Sequence, residues 1–245
     1  MSPGYRGRIA PTPTGFLHLG HAATFRTAHR RAREAGGTVV FRVEDLDPQR
    51  CKPEFADAAA EDLRWLGINW DEGPDVGGRF GPYIQSARRE HYRAAWRTLR
   101  DGGFIYPCTR SRKDVSALSL APHEEEPVFP VEWRTPVEEA MKWTEPRGVN
   151  WRFRVPDGEA MVFADQNLGE ISRTASQDFG DFLVWNRDDV PAYELAVVVD
   201  DIAMGITEVV RGADLLTSTA RQILIYRALR APPPDRKSTR LNSSH

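Results

Sequence analysis

The sequence is poor in cysteine and has no long apolar run. Its 245 residues include two cysteines, Cys51 and Cys108, far apart in the chain, which leaves no disulfide framework and no Cys-x-x-Cys metal pair. No stretch approaches about 18 consecutive apolar residues, so a transmembrane helix is not expected. The first residues, MSPGYRGRIAPTPTG, lack the basic and then apolar segments of an export signal. We therefore expect a cytoplasmic protein of one or two domains.

The sequence also lacks an excess of charge of either sign. It has 33 Lys and Arg against 35 Asp and Glu, a net charge of −2. Three of the basic residues fall in the last ten, RKSTRLNSSH, which contain no acid. This balance is not that of a general polyanion binder. Any nucleic acid that the protein binds must therefore contact a local basic patch.

Short apolar runs alternate with amphipathic stretches over the first hundred residues. Strands are predicted at residues 7–10, 38–44 and 104–106, and helices at residues 21–35, 53–66 and 86–101. Glycine pairs follow two of these helices, and a proline begins the one between them, as is common at helix ends and starts. The alternation predicts a parallel α/β sheet.

Residues 107–190 interrupt this alternation. The segment HEEEPVFPVEWRTP is acidic and rich in proline, and the runs WRFRV, MVFAD and DFLVW read as separate strands. The α/β pattern resumes with a helix at 193–201, a strand at 208–211 and a helix at 218–229. The interruption therefore predicts an inserted, more antiparallel subdomain.

The resulting division of the chain has four parts. Residues 1–106 and 191–235 form the two halves of the sheet domain, and residues 107–190 form the inserted α+β subdomain. Residues 236–245 are polar and without periodicity. They are predicted to be either a disordered terminus or a segment foreign to the protein.

The sharpest local pattern is RIAPTPTGFLHLGH, residues 8–21. A strand leads into a loop with Pro and Gly, and a helix follows, which places His18, Gly20 and His21 at a helix N-terminus. Unpaired N–H groups and the helix dipole favour phosphate there, and Gly20 allows a nucleotide to approach closely. The alternative is a strand–turn–helix with two surface histidines.

This pattern, with FRVEDLDPQR some twenty residues later, resembles the opening of the glutamyl- and glutaminyl-tRNA synthetases. These are class I enzymes with the HIGH signature, here written HLGH. The similarity continues through LGINWDEG, YIQSARREHYRAA, YPCTRS, GDFLVW and AYELAVVVDDIAMGITEVVRGADLLTSTARQ, and spans residues 4–231. It implies a Rossmann-type catalytic domain with an inserted α+β subdomain, acting as a ligase.

Within this group the sequence is most similar to the glutamyl-Q tRNA(Asp) synthetases. The segments EDLDP, AVVVDD and VVRGADLL resemble that subfamily, and Val197 and Leu215 stand where full-length glutamyl-tRNA synthetases carry Asn and Trp. The resemblance implies ATP-dependent activation of L-glutamate and its transfer to the queuosine base at the wobble position of tRNA(Asp). A truncated glutamyl-tRNA synthetase and a non-catalytic nucleotide- or glutamate-binding module remain as alternatives.

The resemblance also implies site residues. Arg8 and Arg211 would bind the glutamate carboxylates, for which an arginine fork is suited; Glu44 would hold the α-amino group and Tyr193 would border the substrate. The remaining members of the glutamate pocket would be Ile9, Ala10, Pro11 and Thr12. The alternatives are that the arginines are strand-end surface residues and that Tyr193 is a core aromatic.

For ATP, the resemblance implies binding by His18, Gly20 and His21, with the two histidines as catalytic residues. They would stabilise the charge that develops on the transferring phosphate, and Mg²⁺ would accompany the substrate. No general base is needed, since a carboxylate is already a nucleophile at neutral pH. We expect a monomer whose partners are L-glutamate, ATP and tRNA(Asp) bearing queuosine, with no membrane partner.

Two features depart from the family pattern. The second class I signature, of KMSKS type, is absent, since RKSTR follows APPP with only Asp235 between them, where the family has a further strand and loop. We therefore expect weak or no activity from the chain as it stands. Many relatives bind zinc in the insertion, but here Arg110 follows Cys108 in place of a second cysteine, and one thiolate cannot make a four-ligand site. We expect no zinc, and an insertion held by packing of Phe129, Trp133, Trp143, Trp151 and Phe153.

Overall fold

A computed structural model describes residues 4–110, 114 and 128–239. The strands are β1 (Arg6–Ile9), β2 (Thr38–Phe41), β3 (Ile105–Cys108), β4 (Asn150–Phe153), β5 (Ala160–Asp165), β6 (Gly169–Thr174), β7 (Phe182–Trp185), β8 (Glu208–Gly212) and β9 (Asp235–Thr239). The α-helices are α1 (Leu19–Glu34), α2 (Pro53–Trp65), α3 (Arg89–Asp101), α4 (Val137–Met141), α5 (Tyr193–Ala203) and α6 (Leu216–Ala228). Single turns of 3-10 helix cover Gln85–Arg88, Val131–Trp133 and Ala213–Leu215.

Parallel strands form the part of the fold that carries the site. Strand β1 pairs with β2 in parallel, and β8 pairs with β9 in parallel. The Thr207 N–H, just before β8, donates to the Arg6 carbonyl of β1 at 2.9 Å. The four strands therefore lie in the order β2, β1, β8, β9, and the predicted parallel α/β architecture is confirmed.

Helix α1 begins two residues before the predicted start and packs against β1 and β8. Its buried residues, Ala28 and Ala32, are small enough to bring the helix close to the apolar strands. The following turn ends at Gly37, where a Cβ would lie 2.5 Å from the Tyr5 carbonyl oxygen. Only glycine fits there, so the return from α1 to β2 depends on it.

The second part of the fold contains the antiparallel strands, β3 to β7. Strand β4 is central in a sheet of order β3, β4, β7, with both pairs antiparallel, and β5 and β6 form a hairpin. Residues 104–106 were predicted as a third strand of the parallel alternation, and this was wrong. Ile105 instead lies opposite Phe153 of β4 and joins the apolar cluster around Trp96. The boundaries of the four parts remain a prediction.

Aromatic rings pack throughout this second part, as predicted. The ring of Trp151 meets those of Trp96 and Trp143 edge-on, with centroids 4.8 and 6.0 Å apart. Phe153 stacks on Phe182 at 5.2 Å. Phe129 meets Trp133 edge-on at 5.4 Å. Such pairs add about 0.5–1.5 kcal/mol each beyond the burial of their area.

Residues 236–239 belong to β9, so the disordered alternative does not hold for them, while residues 240–245 lie outside the described part. Backbone pairing with Glu208–Gly212 forms this strand. Arg236 is buried there, its Nε and Nη2 atoms have no hydrogen-bond partner among the residues that the structure describes, and burial lowers its pKa to about 10. The segment therefore forms a strand by backbone pairing, although the buried Arg236 side chain is not fully hydrogen-bonded within the described residues. The foreign origin of the segment remains a prediction.

Across the described residues, every helix is too short or too polar to span a bilayer.

Candidate active site

A cavity of about 610 Å³ opens where β1 and β8 end and α1 begins. Ligands of open α/β sheets bind at the carboxyl ends of the strands in this way. Ten of the eleven predicted site residues line the cavity: Arg8, Ala10, Pro11, Thr12, His18, Gly20, His21, Glu44, Tyr193 and Arg211. The eleventh, Ile9, is fully buried in the apolar core behind it. The Ile9 carbonyl accepts the Arg42 N–H at 2.9 Å, so this residue supports the wall from behind.

The two histidines lie together at the start of α1. His18 is the N-cap of the helix, and its Nδ1 accepts the Gly20 N–H at 3.2 Å. The rings of His18 and His21 stack with centroids 3.7 Å apart. Burial, and then the neighbouring His18, lower the pKa of His21. Because both rings line the cavity, the arrangement brings two imidazoles and a helix N-terminus to one wall, where an anion is favoured.

Arg211 is the cation at the end of β8. It is buried, its Nη1 donates to Gln222 Oε1 at 3.0 Å, and its Nη2 donates to the Thr219 hydroxyl. Within residues 4–110, 114 and 128–239 it forms no ion pair. Burial, and then repulsion by Arg8, lower its pKa. Two neutral groups on α6 therefore hold a buried guanidinium that has no direct ion-pair partner in the described part of the chain.

Arg8 and Glu44 face the cavity from β1 and from just beyond β2. Arg8 is buried and its Nε lies 3.3 Å from Asp201 Oδ1. Glu44 Oε1 accepts from Arg42 at 2.8 Å, while its Oε2 accepts no hydrogen bond from the described residues. Burial raises the pKa of Glu44, against the opposing effects of Arg42 and Arg8. The cavity thus presents guanidinium groups for carboxylates and a carboxylate oxygen for a cation.

The structure does not support the alternative interpretations of Arg8, Arg211 and Tyr193. Arg8 and Arg211 are buried rather than strand-end surface groups. Tyr193, the first residue of α5, is 39% exposed and lines the cavity, so it is not a core aromatic.

Sequence reasoning missed several lining residues and the groups behind them. Asp214 and Leu215 follow β8 and line the cavity, as do Thr14 and Thr24. The position of Asp214, just after a parallel strand, was the available signal. Behind the wall, Arg42 is fully buried among Glu44, Asp200 and Asp201. Burial disfavours its charge, but these three carboxylates raise the pKa of Arg42 well above its usual value.

Within the described residues, no group of three or more His, Cys, Asp or Glu side chains could hold a metal ion. Around Cys108, the Arg110 guanidinium lies 4.8 Å from the Trp133 ring centroid, and Arg152 lies 4.2 Å from that of Phe129. These cation–π contacts lie around the Cys108 thiol. The expectation of no zinc remains a prediction. A second, larger cavity of about 840 Å³, between α2 and the segment after β2, contains none of the predicted site residues.

The sheet, the helix N-terminus with its HLGH sequence and the cavity between them define a Rossmann-type class I catalytic domain. Residues 5–245 match the family model of class I tRNA synthetases (E and Q), catalytic domain. The chain belongs to this family of ligases.

The similar proteins are synthetases of this kind. The chain is 49% and 48% identical to the glutamyl-Q tRNA(Asp) synthetases of Symbiobacterium thermophilum and Nitratidesulfovibrio vulgaris, over 93% and 94% of its own length and 72% of theirs. It is 40% identical to a glutamate–tRNA ligase of Symbiobacterium thermophilum, of which it covers 48%. The predicted resemblance to the glutamyl-Q subfamily is therefore confirmed.

Solved structures agree on the fold. The crystal structure of a glutamate tRNA ligase from Elizabethkingia meningosepticum, in complex with its amino acid, matches with a TM-score of 0.86 and 29% identity. The match covers 98% of this chain and 50% of that one. The chain thus spans about half the length of the solved relative.

Proposed function

We propose that the protein activates L-glutamate with ATP as glutamyl-adenylate and transfers the glutamyl group to the queuosine base at the wobble position of tRNA(Asp). The observation that carries the proposal is a buried Arg211, without a direct ion pair among the described residues, in one cavity with Glu44 and the HLGH helix start. The names of the two relatives near 49% identity support the choice of tRNA(Asp).

The amino-acid end of the cavity suits glutamate. Glutamate has two carboxylates and one ammonium, and the cavity offers two guanidinium groups, Arg8 and Arg211, and one carboxylate, Glu44. An arginine fork with bidentate hydrogen bonds recognises a carboxylate by shape as well as by charge. Glu44 Oε2 is the acceptor for the ammonium, and the hydroxyl of Tyr193 borders the bound substrate. A neutral side chain, such as that of glutamine, would leave one of the two arginines without a substrate carboxylate.

The nucleotide end lies at the start of α1. His18, Gly20 and His21 line the cavity there. The Gly20 N–H donates to His18, and the other unpaired N–H groups of the first helical turn are available to phosphate oxygens. The glutamate α-carboxylate attacks the α-phosphate of ATP and pyrophosphate leaves. The two imidazoles stabilise the charge that develops on the phosphate in this step, which depends mainly on positioning and electrostatics. Mg²⁺ bound to the ATP phosphates would screen their charge.

In the second step, a hydroxyl of the queuosine ring attacks the carbonyl carbon of the mixed anhydride. The ester bond forms, the bond to phosphate breaks, and AMP leaves with the electron pair. The hydroxyl proton passes to the phosphate oxygen of the departing AMP or to solvent. Arg8, Arg211 and Glu44 keep the glutamyl group in place during the transfer.

The test has two measurements. Glutamate-dependent exchange of pyrophosphate into ATP reports activation, with D-glutamate, L-glutamine and L-aspartate as control substrates. Transfer of labelled glutamate is then measured to tRNA(Asp) with queuosine, to the same tRNA with guanosine at that position, and to tRNA(Glu). Because the KMSKS signature is absent, we expect weak labelling, measured at high enzyme concentration. It should occur on the queuosine-bearing tRNA alone, including a form without its 3′-terminal adenosine.

Two results would contradict the proposal. Labelling of tRNA(Glu) that requires the terminal adenosine would identify an ordinary glutamyl-tRNA synthetase. Binding of ATP or glutamate with no pyrophosphate exchange, even at high enzyme concentration, would favour the binding module. Arg211→Gln is the matched variant, and it is expected to abolish exchange while ATP binding persists.

A further inference from the structure

Two large apolar side chains are exposed at the rim of the candidate active site. Phe16 is 71% exposed and Leu19 is 89% exposed. Phe16 stands between Thr14 and Leu17, which both line the cavity, and two residues before His18. Its ring nevertheless faces outward, because it is exposed and contacts α2. The loop that forms the cavity wall therefore carries an aromatic ring on its outer side.

This ring has an aromatic neighbour and a cation beside it. The Phe16 ring meets Phe55 of α2 edge-on, with centroids 5.0 Å apart. The Lys52 ammonium lies 5.7 Å from the Phe55 ring centroid, and Lys52 has no ion-pair partner in the described part of the chain. The Lys52 N–H donates to the Pro13 carbonyl at 3.0 Å, which ties the loop to the start of α2.

We propose that Phe16, Phe55 and Lys52 form a stacking platform for an unpaired nucleobase of the nucleic-acid substrate beside the cavity. This inference rests on the proposed function, because it concerns how the acceptor approaches the same site. Bases of single-stranded nucleic acid stack on exposed aromatic rings, and a lysine beside them meets the phosphate. The exposed face of Phe16 supplies the first contact and the ammonium of Lys52 supplies the second.

The position and the charge favour this occupant. A nucleobase that accepts the glutamyl group must leave its stack to reach the cavity, and its neighbours in the loop then lie at the rim with exposed faces. The net charge of the chain is only −2, so a nucleic acid is held by local contacts rather than by the overall field. Lys52 is such a local cation. If a second copy of the chain covered this aromatic patch instead, the protein would be an oligomer, and the light-scattering measurement below would detect it.

The test compares Phe16→Ala with Phe16→Trp in the full chain. For Phe16→Ala we expect the KM for queuosine-bearing tRNA(Asp) to rise about fivefold or more, since one stacked base is lost. Phe16→Trp should restore the KM, because it keeps an aromatic face. Glutamate-dependent pyrophosphate exchange should be unchanged in both variants, since Phe16 does not line the cavity. Trp65→Ala is the control, because Trp65 is 86% exposed at the far end of α2 and is expected to leave the KM unchanged.

A charge variant tests the role of Lys52. Lys52→Gln should reduce the slope of log KM against log salt concentration by about one, as expected for one lost phosphate contact. Equal KM changes in Phe16→Ala and Trp65→Ala, or a change of oligomeric state in Phe16→Ala by light scattering, would overturn the platform. Failure of pyrophosphate exchange in the unmodified protein would overturn the proposed function instead. In that case, binding of a labelled anticodon stem-loop to the same variants still decides whether the platform exists.

Discussion

Gln222 holds Arg211 without neutralising it. The Gln222 Oε1 atom accepts from Arg211 Nη1 at 3.0 Å, and both side chains are buried. A carboxylate in the same place would form an ion pair and leave the arginine without affinity for a substrate anion. A neutral amide fixes the direction of the guanidinium and keeps its full charge for the ligand. Thr219, three residues earlier on the same face of α6, holds the other terminal nitrogen.

We therefore predict that Gln222→Ala raises the KM for glutamate in pyrophosphate exchange by about tenfold. A hydrogen bond to a charged group is worth about 1.5–3 kcal/mol, and here it serves to position a binding group. Gln222→Glu should cause a larger loss, because the new carboxylate pairs with Arg211. The exposed Gln177→Ala is the control. If Gln222→Glu bound glutamate as well as the unmodified protein does, Arg211 would not be the carboxylate ligand.

The second prediction concerns the pH dependence of glutamate binding. Burial raises the pKa of Glu44 above its ordinary value. Above this pKa the side chain is ionised and holds the substrate ammonium; as the pH falls through it, the side chain becomes neutral and the contact weakens. The KM for glutamate should therefore rise on the acid side, starting at a higher pH than for an ordinary glutamate side chain.

Glu44→Gln separates this effect from titration of the substrate itself. We expect this variant to have a KM raised about tenfold or more at neutral pH, because a charge-assisted contact is lost. Its KM should depend less on pH than that of the unmodified protein. Glu54→Gln, an exposed position on α2, should leave the profile unchanged. Parallel pH profiles for Glu44→Gln and the unmodified protein would assign the dependence to another group.

Much of the site was predictable from the sequence because it is local. The strand, loop and helix start from Arg8 to His21 form one continuous segment, and their pattern of Pro, Gly and His indicates the anion-binding wall. The role of Arg211 followed from resemblance of its segment to a family. The groups behind the cavity wall could not be predicted in this way, because they are distant in sequence. Arg42 and Asp201 are 159 positions apart and meet only after the sheet forms. Nothing in the sequence near Arg42 indicates that contact.

Strand pairing was the least predictable feature of the fold. Residues 104–106 have the apolar character of any buried strand, and apolar character alone does not distinguish a parallel from an antiparallel partner. The pairing of β3 with β4 depends instead on Trp151 and Phe153, more than forty residues later. Strand β9 shows the opposite case. Its residues have no strand pattern, and the backbone bonds offered by the edge of β8 determine their conformation.

The third prediction concerns stability, and it follows from Asp200. This carboxylate is fully buried; it accepts from Arg88 Nε at 2.6 Å, from Gln85 Nε2 at 2.8 Å and from the Tyr92 hydroxyl at 3.0 Å. Removing its charge leaves the buried Arg88 without its ion-pair partner, although Arg88 Nη1 still donates to the Phe80 and Pro82 carbonyls. Breaking a buried ion pair costs about 3–5 kcal/mol. Asp200→Asn should therefore lower the free energy of unfolding, measured in urea, by about this amount.

Asp189→Asn is the matched control. Asp189 pairs with Arg89 and Arg93 closer to solvent, and the loss of its charge should cost about 1 kcal/mol or less. Equal losses in the two variants would mean that water reaches Asp200 and that this charge network does not stabilise the sheet behind the site.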